Sequence, residues 1–401
     1  MNRRDYIKKS GLTIAGIGLS GLATPSVFTQ ASLNNEVNEQ NEQNTSKPMV
    51  DISLNEKFYG CICGAHIGSS MGAVVEGWSY SAIEEKYGTL EELLPYEHYG
   101  NGWVRDAGTT EDGIERQKLM ITAIMRKGGR VTAEDVRAVW RTEINEKAPG
   151  NVSEPFEGEL LKMALSNMPA RDIGKYCDYS GLNSFARACH PIGLINAGDP
   201  ASAVDDVFEV GQLYQTSNSR GLQWACVTAV AIASATKPDS TVESIIADIN
   251  EYCSRSVVNE ISRGLRRTEN CKDFKELRKA FDPIYNGVGM PYNQSFANEV
   301  VTKAICIFKM VDGDVKQAII SGTNFGRDTD CVTAIAAGIA GALTGISSIP
   351  VKWIDQVDSA TKVNPFTNTK RTMKENSDGL YDAFKNRLNK MNEYYNKMIT
   401  I

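Results

Sequence analysis

Four glycines, Gly60, Gly64, Gly68 and Gly72, recur at every fourth position. On a helix this spacing makes one seam without side chains, along which a neighbouring backbone can come very close. Glycine in a helix interior costs about 1 kcal/mol against alanine. Four of them call for an offsetting contact, and tight packing at the heart of a domain supplies one. A membrane span is the other home for such a seam. His66, Ser69, Ser70 and the flanking charges argue against it. So does the mean hydropathy of −0.29, and we expect no charge-free apolar run in the body reaching the ~18 residues that a bilayer requires.

The rest of the body reads as further helices. Ile114, Ile121, Ile124 and Met125 share one face, as do Ala304, Ile305, Phe308 and Val311. Residues 332–343 are nearly all small and apolar, the pattern of a buried helix. Turns separate such segments at Lys127-Gly128-Gly129, Gly198-Asp199-Pro200, Lys237-Pro238-Asp239 and Asp312-Gly313-Asp314. Alternating strand patterns are scarce. The expected fold is all-α, compact and multi-helical, with central buried helices. Charge narrows the function classes. With 43 basic against 49 acidic side chains the net charge is −6, which disfavours nucleic acid as a partner. Nine cysteines, an odd number without C-x2-C pairs, read mostly as buried free thiols.

The N-terminus reads as an address. Arg3-Arg4, followed by a weakly apolar stretch from Gly11 to Leu22, resembles a twin-arginine export signal over residues 1–31. The expected partner is then the twin-arginine translocase, and the expected location is periplasmic or extracellular. Residues 32–48 are dominated by Asn, Glu, Gln and Ser, the composition of a disordered linker. One domain is expected over residues 49–401.

Two short segments gather acids ahead of apolar helices. One is Gly108-Thr109-Thr110-Glu111-Asp112-Gly113 and the other is Gly326-Arg327-Asp328-Thr329-Asp330-Cys331. Helix capping explains one such cluster. It explains the second less well, because a buried helix buries its N-terminus, and two buried carboxylates need a cation, either Arg327 or a bound ion. Hard oxygen ligands suit Mg2+, Mn2+ or Ca2+. His66, His98 and His190 form no metal-binding pair and read as structural or surface residues. Glu76 follows the glycine helix and either faces the same pocket or lies at the surface. No nucleophile elbow, P-loop or dinucleotide fingerprint is present.

In this order, these segments resemble the ADP-ribosylglycohydrolase family. Residues 60–76 look like its glycine-rich opening helix and following glutamate, and Thr110-Glu111-Asp112 like its Thr-Asp-Asp motif. Asn183-Ser184-Phe185-Ala186-Arg187, Pro191-Ile192-Gly193-Leu194 and Gly198-Asp199-Pro200 resemble its central segment. Asn324-Phe325-Gly326-Arg327-Asp328-Thr329-Asp330 resembles its Asn-x-Gly-Gly-Asp-Thr-Asp-Thr. The resemblance implies a glycoside hydrolase that cleaves a bond at C1 of a ribosyl or related furanosyl substrate, with water activated at a binuclear Mg2+ site. It implies Thr110, Glu111, Asp112, Asp328, Asp330 and Cys331 as metal ligands, and Glu76, Glu111 and Asp112 as catalytic. Asn183, Phe185, Arg187, Gly326 and Arg327 would bind substrate, a small-molecule glycoside. This sequence departs from the pattern at Glu111 for Asp, at Gly113 and Cys331 for Thr, and at Arg327 for Gly. A thiol is a poor Mg2+ ligand, which brings in Mn2+ as an alternative. The second reading is a non-catalytic relative that holds a ribosyl ligand or another sugar.

Overall fold

The computed structural model describes residues 52–97, 102–145, 155–287 and 293–400. The expected signal, the linker and the domain start at Met49 lie outside these residues, as does His98. In chain order the elements are α1 (Leu54–Gly72), α2 (Tyr80–Tyr87), strands β1 (Tyr96–Glu97) and β2 (Val104–Arg105), α3 (Asp112–Lys127), α4 (Ala133–Glu143) and α5 (Pro155–Leu165). Next come α6 (Ala170–Ile173), α7 (His190–Ile195), α8 (Pro200–Val210), α9 (Arg220–Ala235), α10 (Val242–Tyr252), α11 (Arg255–Arg267) and α12 (Phe274–Phe281). The last are α13 (Ala297–Met310), α14 (Val315–Thr323), α15 (Thr329–Thr344), α16 (Val351–Val363) and α17 (Met373–Ile399). The fold is all-α. The one sheet among the described residues is the β1–β2 hairpin, antiparallel with Tyr96 opposite Arg105.

The centre is the pair α1 and α15. Ser53 caps α1 in a reciprocal box with Glu56. Every glycine of the seam meets the backbone of α15. A Cβ on Gly60 would lie 2.3 Å from Gly341 O, one on Gly64 2.1 Å from Ala337 O, one on Gly68 3.0 Å from Thr333 O, and one on Gly72 2.5 Å from Thr329 O. Partner numbers fall as seam numbers rise, so the two helices run antiparallel. At Gly60, Gly64 and Gly72 a Cβ would overlap backbone outright, and at Gly68 it would force Thr333 to give way. This contact offsets the poor helix propensity of the glycines.

One hydrophobic cluster runs from Phe58 to Phe384. Phe58 meets Tyr381 and Phe384 of α17 at ring distances of 5.4 and 5.8 Å, so the first helix packs against the last. Two expectations need correction. The segment Leu54–Val75 is long and apolar enough to cross a membrane, but 89% of its most apolar window is buried inside the protein, where it serves as the core helix. Met125 leaves the apolar face of α3 and is 37% exposed. All nine cysteines are free, six of them buried.

Candidate functional site

The glycine seam ends where the second acidic cluster begins. A Cβ on Gly72 would lie 2.6 Å from Asp330 Cα, so the C-terminal end of α1 abuts the first turn of α15. The chain then makes one short turn, Ala73–Val75, and reaches Glu76. Three hydrogen bonds hold this stretch to the loop before α15 and to its first residue. Gly77 N–H donates to Arg327 O at 2.8 Å, and Arg327 N–H donates to Trp78 O at 2.7 Å. The Thr329 hydroxyl donates to Gly72 O at 2.8 Å. The loop takes a tight path, with Gly326 at φ +82° and Arg327 at φ +68°. For Arg327, an L residue, that conformation costs roughly 1 kcal/mol or more. A Cβ on Gly326 would fall 2.7 Å from Tyr80 N, so the close approach also requires glycine there.

Asp328, Asp330 and Cys331 come together at this junction, all buried, with one potential ligand atom of each within 4.8 Å of the others. Asp328 is the N-cap residue of α15, but its side chain makes no cap hydrogen bond. Its Oδ2 instead accepts from Asn183 Nδ2 at 2.9 Å. Asp328 Oδ1 and Asp330 Oδ1 are buried and accept no hydrogen bond. Burial first, then the charges of Glu76 and Asp328, push the Asp330 carboxyl well above the usual carboxylate range. Burial and the two aspartates likewise hold the Cys331 thiol far above its ordinary value, so the sulfur stays protonated at neutral pH. Bare buried oxygens among like charges fit a hard divalent cation. Helix capping does not account for them.

The first acidic cluster is arranged differently. Glu111 is the N-cap residue of α3, again without a side-chain cap bond. Its Oε1 accepts from the Tyr96 hydroxyl at 2.5 Å and forms an ion pair with Arg105 Nε at 2.7 Å, both delivered by the β1–β2 hairpin, while its Oε2 is buried and accepts no hydrogen bond. Asp112 is gripped at both oxygens by Arg187. The Thr110 hydroxyl donates to Glu115 Oε1 at 2.7 Å and accepts from Lys118 Nζ at 3.2 Å. Asn364 Nδ2 reaches Thr110 O at 3.0 Å, and the Thr367 hydroxyl reaches Glu115 Oε2 at 2.7 Å, so the segment after α16 is strapped across the start of α3. Among the described residues, Glu111 and Asp112 do not join the cluster around Asp328.

The remaining expected site residues divide. Asn183 and Arg187 reach the acids. Gly326 and Arg327 line a cleft of about 300 Å³ with Ser79, Tyr80, Arg278 and Lys303. Arg327 turns its guanidinium to Glu299, at 2.6 and 3.0 Å, and does not compensate Asp328. Phe185 is corrected to a core residue, fully buried with its ring 4.8 Å from Tyr214. Sequence reasoning missed Tyr96, Arg105, Glu115 and Lys118. The only local signal was Glu115 and Lys118 one turn apart on a helix whose other face is apolar.

The family model described as ADP-ribosylglycohydrolase matches residues 51–388. The ADP-ribosyl-[dinitrogen reductase] glycohydrolase of Rhodospirillum rubrum is 24% identical over 314 residues, covering 77% of this chain and 93% of that protein. The ADP-ribosylhydrolase ARH3 of Gallus gallus is 22% identical over 349 residues, covering 78% and 92%. A solved structure titled ADP-ribosylglycohydrolase-related protein complex superposes with a TM-score of 0.58 at 16% identity, covering 82% of this chain and 99% of that one, and so shares the fold.

Proposed function

We propose, since this chain belongs to the ADP-ribosylglycohydrolase family, that it hydrolyses the bond at ribose C1 of an ADP-ribose conjugate or a closely related furanoside with the help of a divalent cation. The family consists of hydrolases that act on glycosidic bonds, and this chain is one of them. The observation that carries the finer reading is the pair of buried oxygens, Asp328 Oδ1 and Asp330 Oδ1, that accept no hydrogen bond.

Asp328 and Asp330 would hold the cation, and Asn183 fixes the rotation of Asp328 by its bond to Oδ2. When bound, the cation supplies Lewis acidity toward water and a fixed anchor for ribose hydroxyls. Glu76 is the half-buried carboxylate beside this cluster. It takes a proton from the water that adds to C1 and passes that proton to the leaving atom as the C1 bond to the leaving group breaks, so Glu76 ends as it began. The negative charge around it favours the oxocarbenium-like state through which such cleavage passes. The cleft beside Gly326 and Arg327 receives the part of the substrate beyond the ribose. Magnesium is the expected ion and manganese the alternative. Residues 1–31 support export of the chain through the twin-arginine translocase to the periplasm or beyond the cell.

The test is release of free sugar from ADP-ribosyl-arginine, ADP-ribosyl-serine, nucleosides and p-nitrophenyl furanosides, with EDTA and with added Mg2+ or Mn2+. The expected outcome is metal-dependent release, abolished by Asp328→Asn and reduced by ~10²–10⁴ in kcat by Glu76→Gln. Release that persists in EDTA, or that survives Asp328→Asn, would overturn the reading.

A further inference from the structure

The two acidic clusters differ in what already neutralises them. In the first, each acid has a cation supplied by the protein. Arg105 sits on Glu111, and Arg187 sits on both oxygens of Asp112. The Arg187 guanidinium extends further, with Nη1 at 3.7 Å from Cys331 Sγ. It therefore lies between the N-terminal ends of α3 and α15, touching one acid of the first cluster and the cysteine of the second. Space for it exists because residue 113 is glycine. A Cβ there would lie 2.9 Å from Arg187 Cδ and 3.2 Å from Cγ. In the second cluster Asp328 and Asp330 each keep a buried oxygen that accepts no hydrogen bond, as Glu111 Oε2 does in the first, but among the described residues neither aspartate has an ion-pair partner.

We propose that this chain holds one divalent cation, on Asp328 and Asp330, and that the Arg187 guanidinium stands on Asp112 in place of a second ion. The inference deepens the metal-dependent reading above and rests on it. A second ion would need donors that the protein has committed elsewhere. Thr110 is hydrogen-bonded within the protein, Asp112 is forked by Arg187, and Glu111 has given Oε1 to Tyr96 and Arg105, which leaves its Oε2 as the one side-chain oxygen of the three residues that accepts no hydrogen bond. Cys331 offers a sulfur, a soft donor that a hard cation disfavours. Two cations on one carboxylate would also repel each other, and the guanidinium is tethered in place while the ion is not. Gly113 and Cys331 are two of the positions where the sequence departs from the family pattern. Both touch or border Arg187, so one structural change accounts for both departures.

The experiment strips the full-length protein of metal and titrates it with Mn2+ alone, reading stoichiometry by electron paramagnetic resonance of free Mn2+ and by calorimetry. One ion per chain is expected. Asp328→Asn should weaken it by more than the ~10–100-fold that loss of an outer-shell partner costs. Arg187→Met should admit a second, weaker ion. Gly113→Ser, which crowds the guanidinium while keeping its charge, should do the same and carries the test if Arg187→Met fails to fold. Two ions on the unaltered protein would overturn the proposal while leaving metal dependence standing. One ion abolished equally by Asp112→Asn and Asp328→Asn would overturn it too, as would a single ion retained in both Arg187→Met and Gly113→Ser. No ion at all would remove the metal reading itself.

Discussion

At the scale of single residues, what was legible in the sequence was what sits close together in it. Asp328 and Asp330 stand two apart, and the burial of the helix after them could be read from residues 332–343. Arg187 was expected in the pocket, but its grip on Asp112 joins residues 75 positions apart and left no local mark. Arg105 and Tyr96 were invisible because the hairpin that carries them has strands of only two residues each. His190 yields a prediction of its own. It is fully buried, its Nε2 donates to Ala334 O at 3.1 Å, and its Nδ1 accepts from Gln117 Nε2 at 3.0 Å, which fixes the neutral tautomer. Desolvation lowers it from 6.5 to about 4. The fold therefore binds fewer protons than the unfolded chain between those values. The associated stability is present above pH 6.5 and is lost as pH falls toward about 4. The loss is on the order of 3 kcal/mol for this one group. Burial shifts His66 in the same direction. Urea melts at pH 7.5 and pH 5 should show the decline, and His190→Gln should make it shallower.

At the scale of elements, the glycine seam was readable, because a four-residue repeat of a poor helix former makes sense only against another backbone. Its partner was not identified in advance, since nothing in residues 329–344 names residues 54–72 as their neighbour. The seam makes an unusual mutational forecast. Gly64→Ala improves intrinsic helix propensity by about 1 kcal/mol. It also drives a methyl to 2.1 Å from Ala337 O, a backbone atom that cannot rotate away. The clash should win, with a net destabilisation of ~2 kcal/mol or more. Gly129→Ala is the control, because nothing lies within 4 Å of its added Cβ. Thermal melts of the two variants should differ in that order, and equal melting temperatures would contradict the packing described.

At the scale of the whole molecule, one core joins helices from both ends of the described body. Phe58 and Phe384 belong to the same cluster. Fold class was legible because helical periodicity and a scarcity of strand patterns are properties of the entire chain. The export expectation also belongs at this scale. Residues 1–48 fused to a folded fluorescent reporter should carry it out of the cytoplasm in a host with a twin-arginine translocase. Changing Arg3 and Arg4 to Lys should keep the reporter inside. Retention of the unaltered fusion would leave residues 1–31 without the role proposed.

The pairing of α1 with α15 also sets a clock. Gly64 and the Ala337 it packs against are about 270 residues apart. At ~5–20 residues per second of synthesis, the first helix waits roughly 15–50 s for the partner that covers it. During that interval it is a naked segment long and apolar enough to pass for a transmembrane span. The nascent chain is then most exposed to misrouting into a bilayer, and to capture by chaperones, before the residues of the proposed site are brought together. The site assembles among the last parts of the molecule, because the strip of backbone that aligns it is available only when translation is nearly over.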